Sequence, residues 1–265
     1  MVKTISSLQN PFIKQLIQLK EKSKLRKQTG LFIIEGKREL SLAIKGNYTI
    51  ETLYYYADLF SASEAASLEI YGIDIIEITQ TVYEKVAHRG TTEGIVAVAK
   101  AKNFDLNNLK FKSETPLILV AEAPEKPGNI GALLRTADAA NVDAIIISNP
   151  LTDLYNPNII RSSVGGIFTV PIATGSSEDI ITYLKKQNIF IYAATLQDSV
   201  EYDSVNYKKA TALIVGAESV GLSSIWREVA TAKIRIPMQG KIDSMNVSVA
   251  AGILIFEAKR QRKLS

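Results

Sequence analysis

Residues 117–148 read LILVAEAPEKPGNIGALLRTADAANVDAIIIS, and this stretch decides the class of the fold. Two nearly all-apolar runs, LILVAEA and DAIIIS, flank a segment with helical spacing. Pro127-Gly128 makes a turn, Asn129 stands where a helix cap belongs, and Ala132, Leu133, Ala137 and Ala140 line up on one apolar face. Strand, helix and strand, with strands apolar on both faces, indicate a parallel sheet covered on both sides. The pattern continues through IFIYAAT, TALIVGAE and AKIRIP, so residues 116–265 read as one α/β domain. In such open sheets ligands bind beyond the carboxyl ends of the strands. The chemistry is therefore sought in the loops that follow them.

Upstream, LFIIEG, TIETLYYYA, GIDIIEI and GIVAVAK are β-rich stretches separated by helical ones at 37–45 and 79–87. Residues 1–100 thus read as a smaller α/β domain. It opens with an amphipathic helix expected from Pro11 to about Gln28, capped by Asn10. Residues 101–115, AKNFDLNNLKFKSET, are polar and lack a period, and read as a linker.

Composition excludes several chemistries. The 265 residues contain no cysteine, which removes disulfides, thiolate nucleophiles and cysteine metal sites. One histidine, His88, rules out a multi-histidine metal centre, and no metal is expected. His88 lies at an apparent helix end, where a cation beside the last carbonyls is ordinary. No window approaches the run of about 20 apolar residues that spans a membrane, and MVKTISSLQNPFIKQ lacks the core of a signal peptide. The expected location is cytoplasmic. The formal net charge is +4, unevenly spread. Met1 to Lys27 holds seven basic residues, among them Lys14, Lys22, Lys24, Arg26 and Lys27, against one acid, Glu21. Lys259, Arg260, Arg262 and Lys263 crowd the carboxyl end. Clustered cations are the footprint of a phosphate-backbone binder, and equally of a solvated helix face.

Three loops carry polar groups at strand ends. In the first, Arg135 lies on the helix that begins near Pro127 and is the one residue there that packing leaves unexplained; it can bind phosphate, orient a hydroxyl, or pair with a surface acid. In the second, LIVGAESVGLS (213–223), two glycines flank Glu218 at the end of a buried strand, so backbone can approach a ligand closely. The third, IRIPMQGKIDSMNVSVAAGI (234–253), presents Ser244 and Asn246 before a helix with small residues from Ala250 to Gly252. Ser244 and Asn246 also fit plain helix caps. The GxGxxG turn of a dinucleotide fold is missing, which disfavours a nucleotide-dependent oxidoreductase.

In order and spacing, NIGALLRTADA, GAESVGLS and IPMQGKIDSMNVSVAAGI resemble the three signature motifs of the SpoU/TrmH branch of SPOUT RNA methyltransferases, across residues 117–262. FIIEGKREL and TTEGIVAVAK are similar to the small substrate-binding domain that precedes the catalytic domain in many members. The resemblance implies a SPOUT α/β domain with a trefoil knot, S-adenosylmethionine as cofactor, and a homodimer in which each site borrows groups from its partner. It implies 2′-O-methylation of a ribose, in large-subunit ribosomal RNA before transfer RNA; the alternatives are a transfer-RNA enzyme or a catalytically inactive RNA-binding protein.

By the same resemblance Arg135 matches the catalytic arginine, Asn129 the motif-one asparagine, Glu218 the motif-two glutamate, and Ser244 with Asn246 the polar pair of motif three. Cofactor contacts fall on Thr195, Leu196, Gly216, Ile236, Met238, Ser244 and Met245, and RNA contacts are expected from the amino-terminal cations. Ala217 and Ser219 depart from the family's asparagine and glycine, and Met245 from its leucine. A guanidinium is a poor free base, so Arg135 is read as holding the ribose hydroxyl and adjacent phosphate, oriented by Glu218.

Overall fold

A computed structural model describes residues 3–88, 93–217 and 220–263, without the side chain of Lys263. By compactness the chain forms two units, 1–103 with 153–169, and 104–152 with 170–265.

The first unit contains β1 (Lys3–Ile5), α1 (Pro11–Glu21), α2 (Ser23–Thr29), β2 (Leu31–Glu35), α3 (Lys37–Lys45), β3 (Ile50–Tyr55), α4 (Ala62–Ala66), β4 (Asp74–Ile78), α5 (Gln80–Val86) and β5 (Ile95–Lys100). Its five strands run in the order β1-β4-β3-β5-β2, with β5 antiparallel to both its neighbours. Ile13, Leu16 and Leu19 of α1 pack with Val82, Tyr83 and Val86 of α5 over one face of the sheet. The expected single helix to Gln28 is two helices, because Lys22 is extended (φ −112°, ψ 106°). The Arg26 guanidinium folds back and donates to the carbonyls of Leu19 and Lys20 at 2.6 and 3.2 Å, satisfying the end of α1.

Residues 153–169 belong to this unit by packing, although the apolar pattern alone groups them with the strands around them. Asp153 forms a buried ion pair with Arg26 at 2.5 Å, and Tyr155 stacks on Phe32 with ring centroids 4.2 Å apart. This stretch includes a short helix, Pro157–Ser162.

The second unit contains β6 (Leu117–Glu122), α6 (Pro127–Ala139), β7 (Ala144–Ser148), β8 (Ile172–Gly175), α8 (Ser177–Lys186), β9 (Phe190–Ala194), β10 (Val200–Glu201), β11 (Thr211–Val215), α9 (Ser224–Val229), β12 (Ala232–Arg235) and α10 (Val247–Lys263), α7 being Pro157–Ser162 of the first unit. Its seven strands are all parallel, in the order β10-β12-β9-β11-β6-β7-β8. The expected continuous apolar strands are there, fully buried in β6, β7 and β11. Residues 104–115 pack onto this unit: Thr174 donates to the carbonyl of Phe104, and Leu106, Leu109 and Phe111 lie against its core. Strand order reverses between β6 and β11, which directs attention to the loops beyond the carboxyl ends of β11 and its neighbours. Among the described residues no helix is long and apolar enough to cross a membrane.

Candidate active site

Beyond the ends of β9 and β11 lies a cleft of about 570 Å³, closed on its far side by the start of α10. It is within the range of about 300 to 1,000 Å³ usual for small-ligand sites. One wall continues β9 through Thr195, Leu196 and Gln197; a second follows β11 through Gly216, Ala217 and Gly221; Ser244, Met245 and Asn246 form the third.

The β11 wall has a specific construction. A Cβ placed on Gly216 would lie 2.3 Å from the carbonyl carbon of Gly221 and 2.5 Å from the amide nitrogen of Leu222. Gly221 adopts φ +69° and donates to the carbonyl of Ala217 at 2.9 Å, closing a tight loop. The glycines serve the approach of chain to chain, whereas the sequence pattern reads as an approach of chain to ligand. Glu218 lies outside the described residues.

The loop is anchored by a buried carboxylate that the motifs do not mark. Glu122, at the end of β6, accepts from the Ser223 amide at 2.8 Å and the Ser223 hydroxyl at 2.6 Å. The Ser177 hydroxyl donates to it at 3.2 Å, and Ser177 also meets Ser148 at 2.8 Å and the Trp226 indole N–H at 3.0 Å. One network thus ties together the ends of β6 and β7 and the starts of α8 and α9. An acid closing an otherwise apolar strand, LILVAE, was its only signal in the sequence.

Asn246 reaches both ways. Its amide donates to the Asn129 side chain at 3.2 Å, which joins motif three to motif one. Its side-chain oxygen accepts from the Ser248 amide at 3.0 Å, so the cap role is real as well. Ser244 and Met245 line the cleft, as do Thr195, Leu196 and Gly216. Ile236 and Met238 are half-buried in the segment after β12 and are not part of its wall. Arg135 is exposed on α6 and does not line the cleft either. Arg227, half-buried on α9, does; it donates to Gln197 at 3.3 Å. No motif singled it out.

In the first unit Lys14, Lys22, Lys24 and Lys27 are exposed. Arg26 is a correction to the expected RNA contacts: it is 4% exposed, and its Nε and Nη1 groups donate to Asp153, Leu19 and Lys20. A cation that meets the last carbonyls of α5 is Lys20, 2.9 Å from the Val86 oxygen and 2.8 Å from that of Ala87.

The profile of the SpoU rRNA methylase family matches residues 116–256, and that of an MRM3-like substrate binding domain matches 10–97. The chain is 27% identical to the 23S rRNA (guanosine(2553)-2′-O)-methyltransferase RlmP of Bacillus subtilis, across 97% of this chain and all of that protein. It is 34% identical to the 23S rRNA (guanosine-2′-O-)-methyltransferase RlmB of Vibrio parahaemolyticus, across 74% and 81% of the two chains. An AdoMet-bound rRNA methyltransferase from Sinorhizobium meliloti superposes with a TM-score of 0.90 at 31% identity, over 98% of both chains.

Proposed function

This chain belongs to the SpoU rRNA methylase family, and from that premise we propose that it methylates a ribose 2′-hydroxyl of large-subunit ribosomal RNA in the cytoplasm. The observation that carries the reading is the 570 Å³ cleft at the strand ends, walled by the loops of motifs two and three and by the stretch that follows β9. S-adenosylmethionine supplies the electrophilic methyl group. The cleft suits it: Val215, Leu222, Val247 and Met245 offer apolar surface to an adenine, while the chain at Thr195–Gln197 and Gly216–Ala217 offers backbone polar edges.

In-line transfer requires the attacking oxygen to be held on the axis of the bond that breaks, so positioning does most of the work. Asn129 and Asn246 hold each other and set the spacing between α6 and α10. Arg135 stands away from the wall of its own chain's cleft. In a homodimer it serves the partner's cleft, where it grips the ribose and phosphate, with Glu218 as its orienting carboxylate. The dimer is supported by Val249 and Phe256, 54% exposed each and seven residues apart on α10. The family's trefoil knot, formed where the chain runs from β11 to α10, and an RNA-gripping role for residues 1–100 through Lys14, Lys22, Lys24 and Lys27, complete the proposal.

The test is a pair of variants. Arg135→Ala is expected to lower turnover by about 10²-fold while S-adenosylmethionine still binds, as for a contact made in the transition state. Gly216→Ala spoils the cleft but keeps Arg135. Mixing the two recovers about one quarter of the native rate, because random exchange makes half the dimers mixed and each mixed dimer has one whole site. No recovery on mixing would place Arg135 in the cleft of its own chain.

A further inference from the structure

A second recess, of about 350 Å³, lies wholly within the first unit. It opens where β2 passes into α3 and is bounded by α7. Its apolar surface comes from Ile33 and Ile160, each 2% exposed. Its charged groups are Glu35 and Glu39, half-buried, and Arg38, Arg161 and Glu93, exposed; Glu93 accepts the Lys37 backbone N–H at 2.7 Å.

The recess is built with care at its turn. Gly36 adopts φ +98°, and a Cβ there would lie 2.6 Å from Oε2 of Glu39, so glycine both makes the bend and lets that carboxylate lie against the chain. Glu35 accepts the His88 backbone N–H at 2.8 Å, which fixes its carboxylate. Burial pushes both carboxyls above the ordinary range; the His88 N–H, Lys20 and Arg161 partly oppose this at Glu35, and Arg38 at Glu39. A lining of two half-buried acids, with two arginines against one acid among the exposed residues, is the reverse of a phosphate pocket. It suits a ligand that places N–H donors inward and an anion at the mouth.

We infer that this recess receives a guanine nucleotide of the RNA substrate, an inference that rests on the function proposed above. Guanine alone among the four bases presents two adjacent N–H donors, N1–H and N2–H₂, on its pairing edge, and a carboxylate has two acceptor oxygens to meet them. Ile33 and Ile160 meet the faces of the base, and Arg38 and Arg161 meet the phosphates on either side of it.

The single histidine makes the test direct, since His88 lines the recess and its imidazole proton signals have no counterpart in the chain. Titrating the full-length protein with GMP, AMP, CMP and UMP is expected to move the His88 signals at about 10-fold lower concentration with GMP than with the others. Glu35→Gln and Arg161→Ala each weaken that response by about 10-fold and leave S-adenosylmethionine affinity unchanged. Arg161→Ala also raises the KM for ribosomal RNA by about 10-fold at constant kcat. An equal response to all four nucleotides, no response to any, or a GMP response that survives both substitutions overturns the inference. So does loss of the GMP response with an unchanged KM for RNA, which would mean that a free nucleotide is the ligand. Failure to methylate RNA with the GMP response intact would instead count against the proposed function.

Discussion

A methyl group added at position 216 would meet the backbone of Gly221 and Leu222 at 2.3 to 2.5 Å, closer than any relaxed contact, and neither neighbour is a side chain that can swing away. Gly216→Ala therefore opens the loop that forms one wall of the cleft. Because β11 itself is untouched, the expected result is a fall of about 10-fold or more in S-adenosylmethionine affinity by calorimetry, with cooperative unfolding preserved. Native affinity would show that the loop shape is not what holds the cofactor. The two glycines were visible in the sequence, but what they face was not, since a pattern of residue types does not say whether backbone or ligand comes close. Arg26 makes the same point about charge. Counted with its neighbours it reads as part of a basic cluster, yet a guanidinium with five donors can also satisfy carbonyls and a carboxylate in a core. Here it closes α1 and holds Asp153.

The element that does most to relate the motifs is α10. Its small residues are used inside the chain: Ala251 is fully buried, and the Cβ that Gly252 lacks would touch Thr136 of α6 at 3.7 Å. The apolar side chains that α10 leaves exposed are Val249 and Phe256. If they form the proposed dimer contact, Phe256→Asp gives a monomer at micromolar concentration in sedimentation equilibrium, with the cleft of each chain intact. A dimer of native strength would remove this helix from the interface. Long apolar strands such as LILVAE and AIIIS were legible because two-sided burial leaves an unbroken signal. The edge strands β8 (IATG) and β10 (VE) were not, because short strands bury too little for composition to mark them. The break at Lys22 was hidden for another reason: the apolar period continues across it, and Asp153, which pairs with the Arg26 that closes α1, is distant in sequence.

At the scale of the molecule, the class of both units and the three motif loops could be read from the chain, while the excursion of residues 153–169 into the first unit could not. That excursion depends on contacts such as Phe32 with Tyr155, 123 positions apart, which no local pattern encodes. Glu122 belongs to the same class of finding, since its worth lies in Ser177 and Ser223, which reach it from distant loops. The central claim is that this cleft delivers a methyl group to a ribose oxygen, and it is tested most directly by the identity of the product. Ribosomal RNA from cells lacking the gene would be incubated with the protein and S-adenosylmethionine carrying a deuterated methyl group, then digested to nucleosides and weighed by mass spectrometry. The account predicts the label in a single 2′-O-methylated nucleoside, with the deuterium on the ribose fragment. Label on a base fragment, or bound cofactor with no label transferred to RNA, would contradict it.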